Sequence, residues 1–109
     1  MIPFNEIYLT GNEEVYITEA LNSGHTSGNG VFTKKVHQFF NEKYKAKKTL
    51  LTNSCTDALE MASILIDLKE GDEVIVPSYT FVSTANAFLL RGAKIIFADS
   101  NSENPNIDA

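Results

Sequence analysis

GDEVIVPSYTFVSTANAFLLRGAKIIFAD, residues 71–99, decides the fold of this 109-residue chain. Gly71-Asp72 turns the chain into Glu73-Val74-Ile75-Val76, a short β-branched run that Pro77 ends, which reads as a buried strand. Ser83 to Leu90 predicts a helix with its start near Thr80 and its stop at Gly92. Lys94-Ile95-Ile96-Phe97-Ala98 then predicts a second strand, closing at Asp99. A strand, a helix and a strand with short connections form a parallel pair joined by a crossover helix.

Upstream, the same alternation extends the sheet. Thr49-Leu50-Leu51-Thr52 reads as a further strand and Asn53-Ser54-Cys55 as a turn. Thr56 to Leu68 reads as a helix apolar on most sides, the kind buried between layers. The order β-α-β-α-β makes the fold class α/β, a mostly parallel sheet with crossover helices. Before it, Asn12 is placed to cap a helix whose first turn carries Glu13 and Glu14, with Ile17, Ala20 and Leu21 on one face and Gly24 at its end. Three glycines in Gly24–Gly30 require a loop, and a second helix is expected from Thr33 to about Tyr44. Two regions follow: 1–47, helical with a glycine-rich loop, and 48–109, the first βαβαβ part of a larger domain. The tail, Ser100 to Ala109, is polar and is expected to carry no closing element. A three-stranded parallel sheet with open edges is a poor end point for a domain, so an N-terminal piece of a longer protein is expected.

Composition narrows the function classes. The net charge is −5 and Arg91 is the one arginine, a poor match to a nucleic-acid backbone. The single cysteine, Cys55, excludes an internal disulfide and a cysteine-rich metal site, and no metal is expected. No apolar run approaches the ~20 residues needed to span a bilayer. The start MIPFNEIY has neither the basic end nor the apolar core of a signal peptide, so a cytoplasmic protein without a membrane partner is expected.

In an open parallel sheet, ligands bind beyond the carboxyl ends of the strands. Asn53–Asp57, Pro77–Phe81 and Asp99 leave those ends here. Ser54, Cys55 and Thr56 lie between a strand and a helix N-terminus, where free N–H groups and about half a positive charge would hold a phosphate without a lysine. The plainer alternative is that Ser54 or Thr56 caps the helix. Tyr79 and Phe81 would stack on a flat heterocycle beside that phosphate, or else pack the sheet edge. Asp99 suits loop capping better than ligand binding. Cys55 would be a nucleophile candidate only with a histidine partner, and no spacing ties His25 or His37 to it. The Gly24–Gly30 loop is neither a Walker A motif nor a complete dinucleotide fingerprint.

TNSCTDALEMA (52–62), GDEVIVPSYTFVSTANAFLLRGA (71–93) and FADSNSENPNID (97–108) resemble the DegT/StrS family of sugar-nucleotide aminotransferases. The resemblance covers essentially the whole chain. It implies an aspartate-aminotransferase-like fold and pyridoxal 5'-phosphate as cofactor. MIPFN, SGHTSGNGVFT (23–33) and FVSTANAF resemble most a member that aminates a dTDP-linked sugar for enterobacterial common antigen. By this likeness, Thr56 and Asp57 match the residues whose amides, with the threonine hydroxyl, hold the cofactor phosphate, and Ser54 lies beside them. Phe81 matches the aromatic that stacks on the pyridine ring. Loops of a homodimer partner help bind the sugar nucleotide in this family, and the Gly24–Gly30 loop, with Thr26 and Gly28, is the candidate for part of that role. The implied reaction moves an amino group from L-glutamate to C4 of a dTDP-4-keto-6-deoxyhexose. The Schiff-base lysine and the aspartate facing the pyridinium nitrogen are expected beyond Ala109, so no catalytic residue is assigned and the 109-residue chain alone is expected to be inactive. The competing reading is a small non-catalytic nucleotide-binding α/β module.

Overall fold

A computed structural model describes residues 1–108, which form two compact units, Met1–Leu51 and the residues from Thr52 onward. The first unit holds helices α1 (Glu13–Asn22) and α2 (Val31–Tyr44). Tyr16 meets Phe32 edge to face at 5.6 Å, and Lys35 pairs with Glu19 at 3.0 Å, so the two helices touch through one aromatic contact and one ion pair. Neither helix has a fully buried residue. Helix α2 starts two residues before the expected Thr33, with Gly30 extended at its N-cap.

Asn12 does occupy the N-cap of α1, but its side chain caps nothing. Glu13, the first residue of the helix, instead ties down the segment that leads into it. Its carboxylate accepts the Thr10 N–H at 2.6 Å, the Thr10 hydroxyl at 2.8 Å and the Gly11 N–H at 2.9 Å. Thr10-x-x-Glu13 has the spacing of a capping box, with the carboxylate reaching back over the chain.

The second unit contains α3 (Cys55–Leu65), β1 (Glu73–Pro77), α4 (Val82–Leu89) and β2 (Lys94–Ala98). The strands pair in parallel with Glu73 opposite Lys94 and Pro77 opposite Ala98. Glu73 and Lys94 close an ion pair at 2.7 Å, which fixes the face of the sheet they share. Alternation puts Val76 on the opposite face, which packs under α4; Val76 is 3% exposed, whereas its neighbour Ile75 is 65% exposed. Helix α3 packs on α4 through small residues, and the buried set is Ser63, Leu68, Val76, Ala85, Ala87 and Ala93. Ser63 is buried at no cost in unpaired groups, because its hydroxyl donates to the Glu60 carbonyl at 2.7 Å.

Both helices of this unit end in the same motif. After α3, Leu68 N–H donates to Ser63 O at 3.1 Å and Asp67 N–H to Ile64 O at 3.0 Å, with Asp67 at φ +56. After α4, Ala93 N–H donates to Phe88 O at 3.3 Å and Gly92 N–H to Leu89 O at 2.9 Å, with Gly92 at φ +81. These are Schellman closures, and in each the next residue, Leu68 or Ala93, is buried.

Three expectations are corrected. Thr49–Thr52 is not a strand, so the sheet has two strands and not three. A strand exists only through ladder bonds to a neighbour, and among the described residues no backbone pairs with 49–52. Helix α3 stops at Leu65 rather than Leu68 and is not buried on most sides, since Ile64, Leu65 and Ile66 are exposed. The polar tail does close: Ser100 bridges Ile107 antiparallel, Asn101 N–H donates to Asn106 O at 2.7 Å, and Asp108 N–H to Asp99 O at 2.9 Å. Asn101 and Asn104 shape that turn by accepting the N–H groups of Glu103 and Asn106.

Candidate functional site at the carboxyl ends of the strands

Helix α4 leaves the carboxyl end of β1, so its first turn lies on that edge. The Thr56 hydroxyl donates to the Ser83 hydroxyl at 3.0 Å, joining the first turn of α3 to the first turn of α4. Asp99, one residue past β2, lies on the same edge because the strands are parallel. All three rim segments named from the sequence therefore converge.

At the head of α3, Ser54 is the N-cap, and its hydroxyl accepts the Asp57 N–H at 3.1 Å. The Ala58 N–H donates to the Ser54 carbonyl at 3.2 Å. Cys55 and Thr56 keep N–H groups without a partner among the described residues. Ser54 accepts one bond and retains its own O–H as a donor, and the Thr56–Ser83 pair has one hydroxyl proton not shared between the two oxygens. Two N–H and two O–H donors at a helix N-terminus match a phosphate. The Asp57 N–H, committed to Ser54, is not among them. Capping and anion binding are thus compatible: Ser54 does the first without closing off the second.

Phe81 sits at the N-cap of α4, in extended conformation and without a side-chain cap. Phe81 is 75% exposed and Tyr79 78% exposed, so neither is buried against the sheet edge. Asp99 caps its own loop by accepting the Ser100 N–H at 2.7 Å. Cys55 is exposed, and its unit contains no histidine. Among the described residues no group of three or more His, Cys, Asp or Glu could hold a metal, and no helix is long and apolar enough to cross a membrane.

Thr26 and Gly28 belong to the other unit. The His25 ring Nε2 donates to the Gly28 carbonyl at 3.1 Å with the Ser27 hydroxyl 3.3 Å away, and the His25 N–H donates to Ser23 Oγ at 3.2 Å. These bonds hold the glycine-rich loop against the end of α1. Thr26 lines a cavity of about 320 Å³, walled by Ile17, Leu21 and Phe32; Gly28 is outside its lining. Sequence reasoning missed His25 as the residue that shapes the loop, and missed Ser83 as the partner of Thr56. The available signal for Ser83 was a hydroxyl in the first turn of a helix that starts on the ligand edge.

Comparison with known proteins gives this geometry its context. Residues 8–109 match the DegT/DnrJ/EryC1/StrS aminotransferase family. GDP-perosamine synthase of Escherichia coli O157:H7 is 36% identical over 102 residues, 94% of this chain and 28% of that protein. The sugar aminotransferase Spr1654 of Streptococcus pneumoniae, solved in its PLP form, superposes with a TM-score of 0.81 at 28% identity, over 98% of this chain and 27% of that one. GDP-4-keto-6-deoxy-D-mannose-3-dehydratase of E. coli, solved with bound hydrated PLP, gives 0.82 at 26% identity, over 97% and 28%. The chain spans about a quarter of the length of the proteins it matches. With a parallel α/β sheet that superposes on the N-terminal part of pyridoxal-phosphate enzymes, and a match over nearly all its residues, this chain belongs to the DegT/DnrJ/EryC1/StrS aminotransferase family.

Proposed function

We propose that this chain furnishes part of the cofactor seat of a pyridoxal-phosphate-dependent sugar aminotransferase. The enzyme moves an amino group from L-glutamate to C4 of a dTDP-4-keto-6-deoxyhexose for a cell-surface polysaccharide of the enterobacterial common antigen type, and it acts as a cytoplasmic homodimer. The observation that carries the reading is the donor cluster at the head of α3, with the exposed Phe81 ring on the same edge. Pyridoxal phosphate, when bound, supplies the electron sink for moving nitrogen between carbon skeletons. The Cys55 and Thr56 N–H groups and the Thr56 and Ser54 hydroxyls hold the phosphate dianion by charge-assisted bonds. Asp57 keeps Ser54 in place through its N–H. Phe81 sets the plane of the pyridine ring, and Thr26 and Gly28 contribute to the sugar-nucleotide site.

The test uses the full-length protein. Pyridoxal phosphate is added to the apoprotein and an imine absorbance band is sought. Amination of a dTDP-4-keto-6-deoxyhexose by L-glutamate is then compared with that of the GDP-4-keto-6-deoxyhexose that the relatives' names favour. A band with dTDP-sugar turnover supports the reading. A band with turnover of the GDP-sugar alone keeps the cofactor and corrects the nucleotide, and no band returns the chain to a non-catalytic nucleotide-binding module.

A further inference from the structure

We propose that Ser83 is a positioning residue of the phosphate seat, acting through the Thr56 hydroxyl; this rests on the reading of Thr56 given above. The two oxygens are 3.0 Å apart and both residues are half-buried, while Ser54 and Asp57 beside them are exposed. A threonine hydroxyl in a helix has two accessible rotamers, one of which back-bonds to a carbonyl of the preceding turn. Thr56 is the second residue of α3 and has no preceding turn, so nothing in its own helix fixes that hydroxyl. Ser83, from the first turn of α4, does so instead.

The pair is also matched to the charge it would meet. Two hydroxyls facing each other place one proton between their oxygens and leave one free. With Thr56 donating, the free proton is on Ser83. Rotation of both hydroxyls reverses the bond, so that Ser83 donates to Thr56 and the Thr56 proton points to the anion. No covalent bond is made or broken, one hydrogen bond replaces another, and the Thr56 oxygen, polarised by its donor, becomes the stronger donor in turn. An alanine at 83 would leave Thr56 free to rotate and without that polarisation.

The experiment measures binding of pyridoxal phosphate, and separately of unphosphorylated pyridoxal, by full-length apoprotein. The variants are Ser83→Ala, Ser83→Thr, Ser83→Val, Thr56→Val and Thr56→Val/Ser83→Ala. Threonine and valine at 83 have the same shape and differ in the hydroxyl alone. The expected result is a loss of about 3- to 10-fold in pyridoxal phosphate affinity for Ser83→Ala and Ser83→Val, and recovery in Ser83→Thr. Pyridoxal affinity stays unchanged, and the double variant is no worse than Thr56→Val. Loss of pyridoxal and pyridoxal phosphate affinity alike would overturn the proposal in favour of a purely structural role. Equal affinity of Ser83→Thr and Ser83→Val for pyridoxal phosphate would overturn it outright, even if Ser83→Ala fails to fold. If Thr56→Val itself binds pyridoxal phosphate normally, the failure lies in the reading of Thr56 and not in Ser83 alone.

Discussion

Glu13 folds back on Thr10, taking its N–H at 2.6 Å and its hydroxyl at 2.8 Å. Bonds from the Thr10 backbone and hydroxyl, with that of Gly11, favour the ionised carboxylate and lower its pKa from 4.5 to about 2. Because the folded value is below the unfolded one, the stabilisation of the α1 start is fully present above about pH 4.5. It is lost as the pH falls through about 2. In an NMR titration the Thr10 and Gly11 amide signals are expected to move with a midpoint near 2, and Glu13→Gln should remove that transition. A midpoint at the ordinary carboxylate value would show that the back-bonded arrangement does not form.

The two Schellman closures make opposite predictions at equivalent positions. Gly92 has φ +81, and an added Cβ would come 3.2 Å from Glu70 Cα. Gly92→Ala should therefore lower stability by about 1–3 kcal/mol. Asp67 holds the matching place after α3 at φ +56 with a side chain that disfavours it. Asp67→Gly relieves that strain and should raise stability by about 0.5 kcal/mol. The ion pair it removes, Asp67 to Lys69 at 2.7 Å, is exposed and contributes little. Thermal unfolding followed by circular dichroism reads both signs.

Phe81 separates fold from function. Its ring is exposed, so Phe81→Ala should change stability by no more than about 0.5 kcal/mol. If the ring stacks on the cofactor, the same change should weaken pyridoxal phosphate binding by about 0.5–1.5 kcal/mol. A melting curve and a cofactor titration on one variant check both parts. Lost stability with unchanged binding would return Phe81 to a packing role.

The elements between Gly71 and Asp99 were legible because local signals agree there: β-branched runs, a glycine stop, and Pro77 at a strand end. The bend at Asn53-Ser54 and the presence of a helix after it were readable too, although the helix takes in Cys55 and stops at Leu65. Thr49–Thr52 was misread because strand formation depends on a partner, and composition shows only the readiness to pair. Burial of α3 was misjudged for a related reason: an apolar helix states what it can cover, not what covers it. Asn12 was rightly placed at the N-cap of α1, but residue type alone could not show that its side chain leaves the first turn uncapped while Glu13 reaches back to Thr10. At the candidate site, Phe81 was singled out from its place after β1, and Ser54 and Thr56 from their place at a helix start, although the strand expected before them is absent. Ser83 was not, because a serine in a first turn looks like any capping residue until its neighbour across the helix pair is known.

The claim on which the rest depends is that the head of α3 holds a phosphate through Thr56 and the unpaired amides beside it. The dissociation constant of pyridoxal phosphate from full-length Thr56→Val, set against Thr56→Ser and the unaltered protein, tests it most directly. The account predicts a loss of roughly 1–3 kcal/mol in Thr56→Val and near-normal retention in Thr56→Ser. Equal retention by all three would contradict it and remove Thr56 from the site.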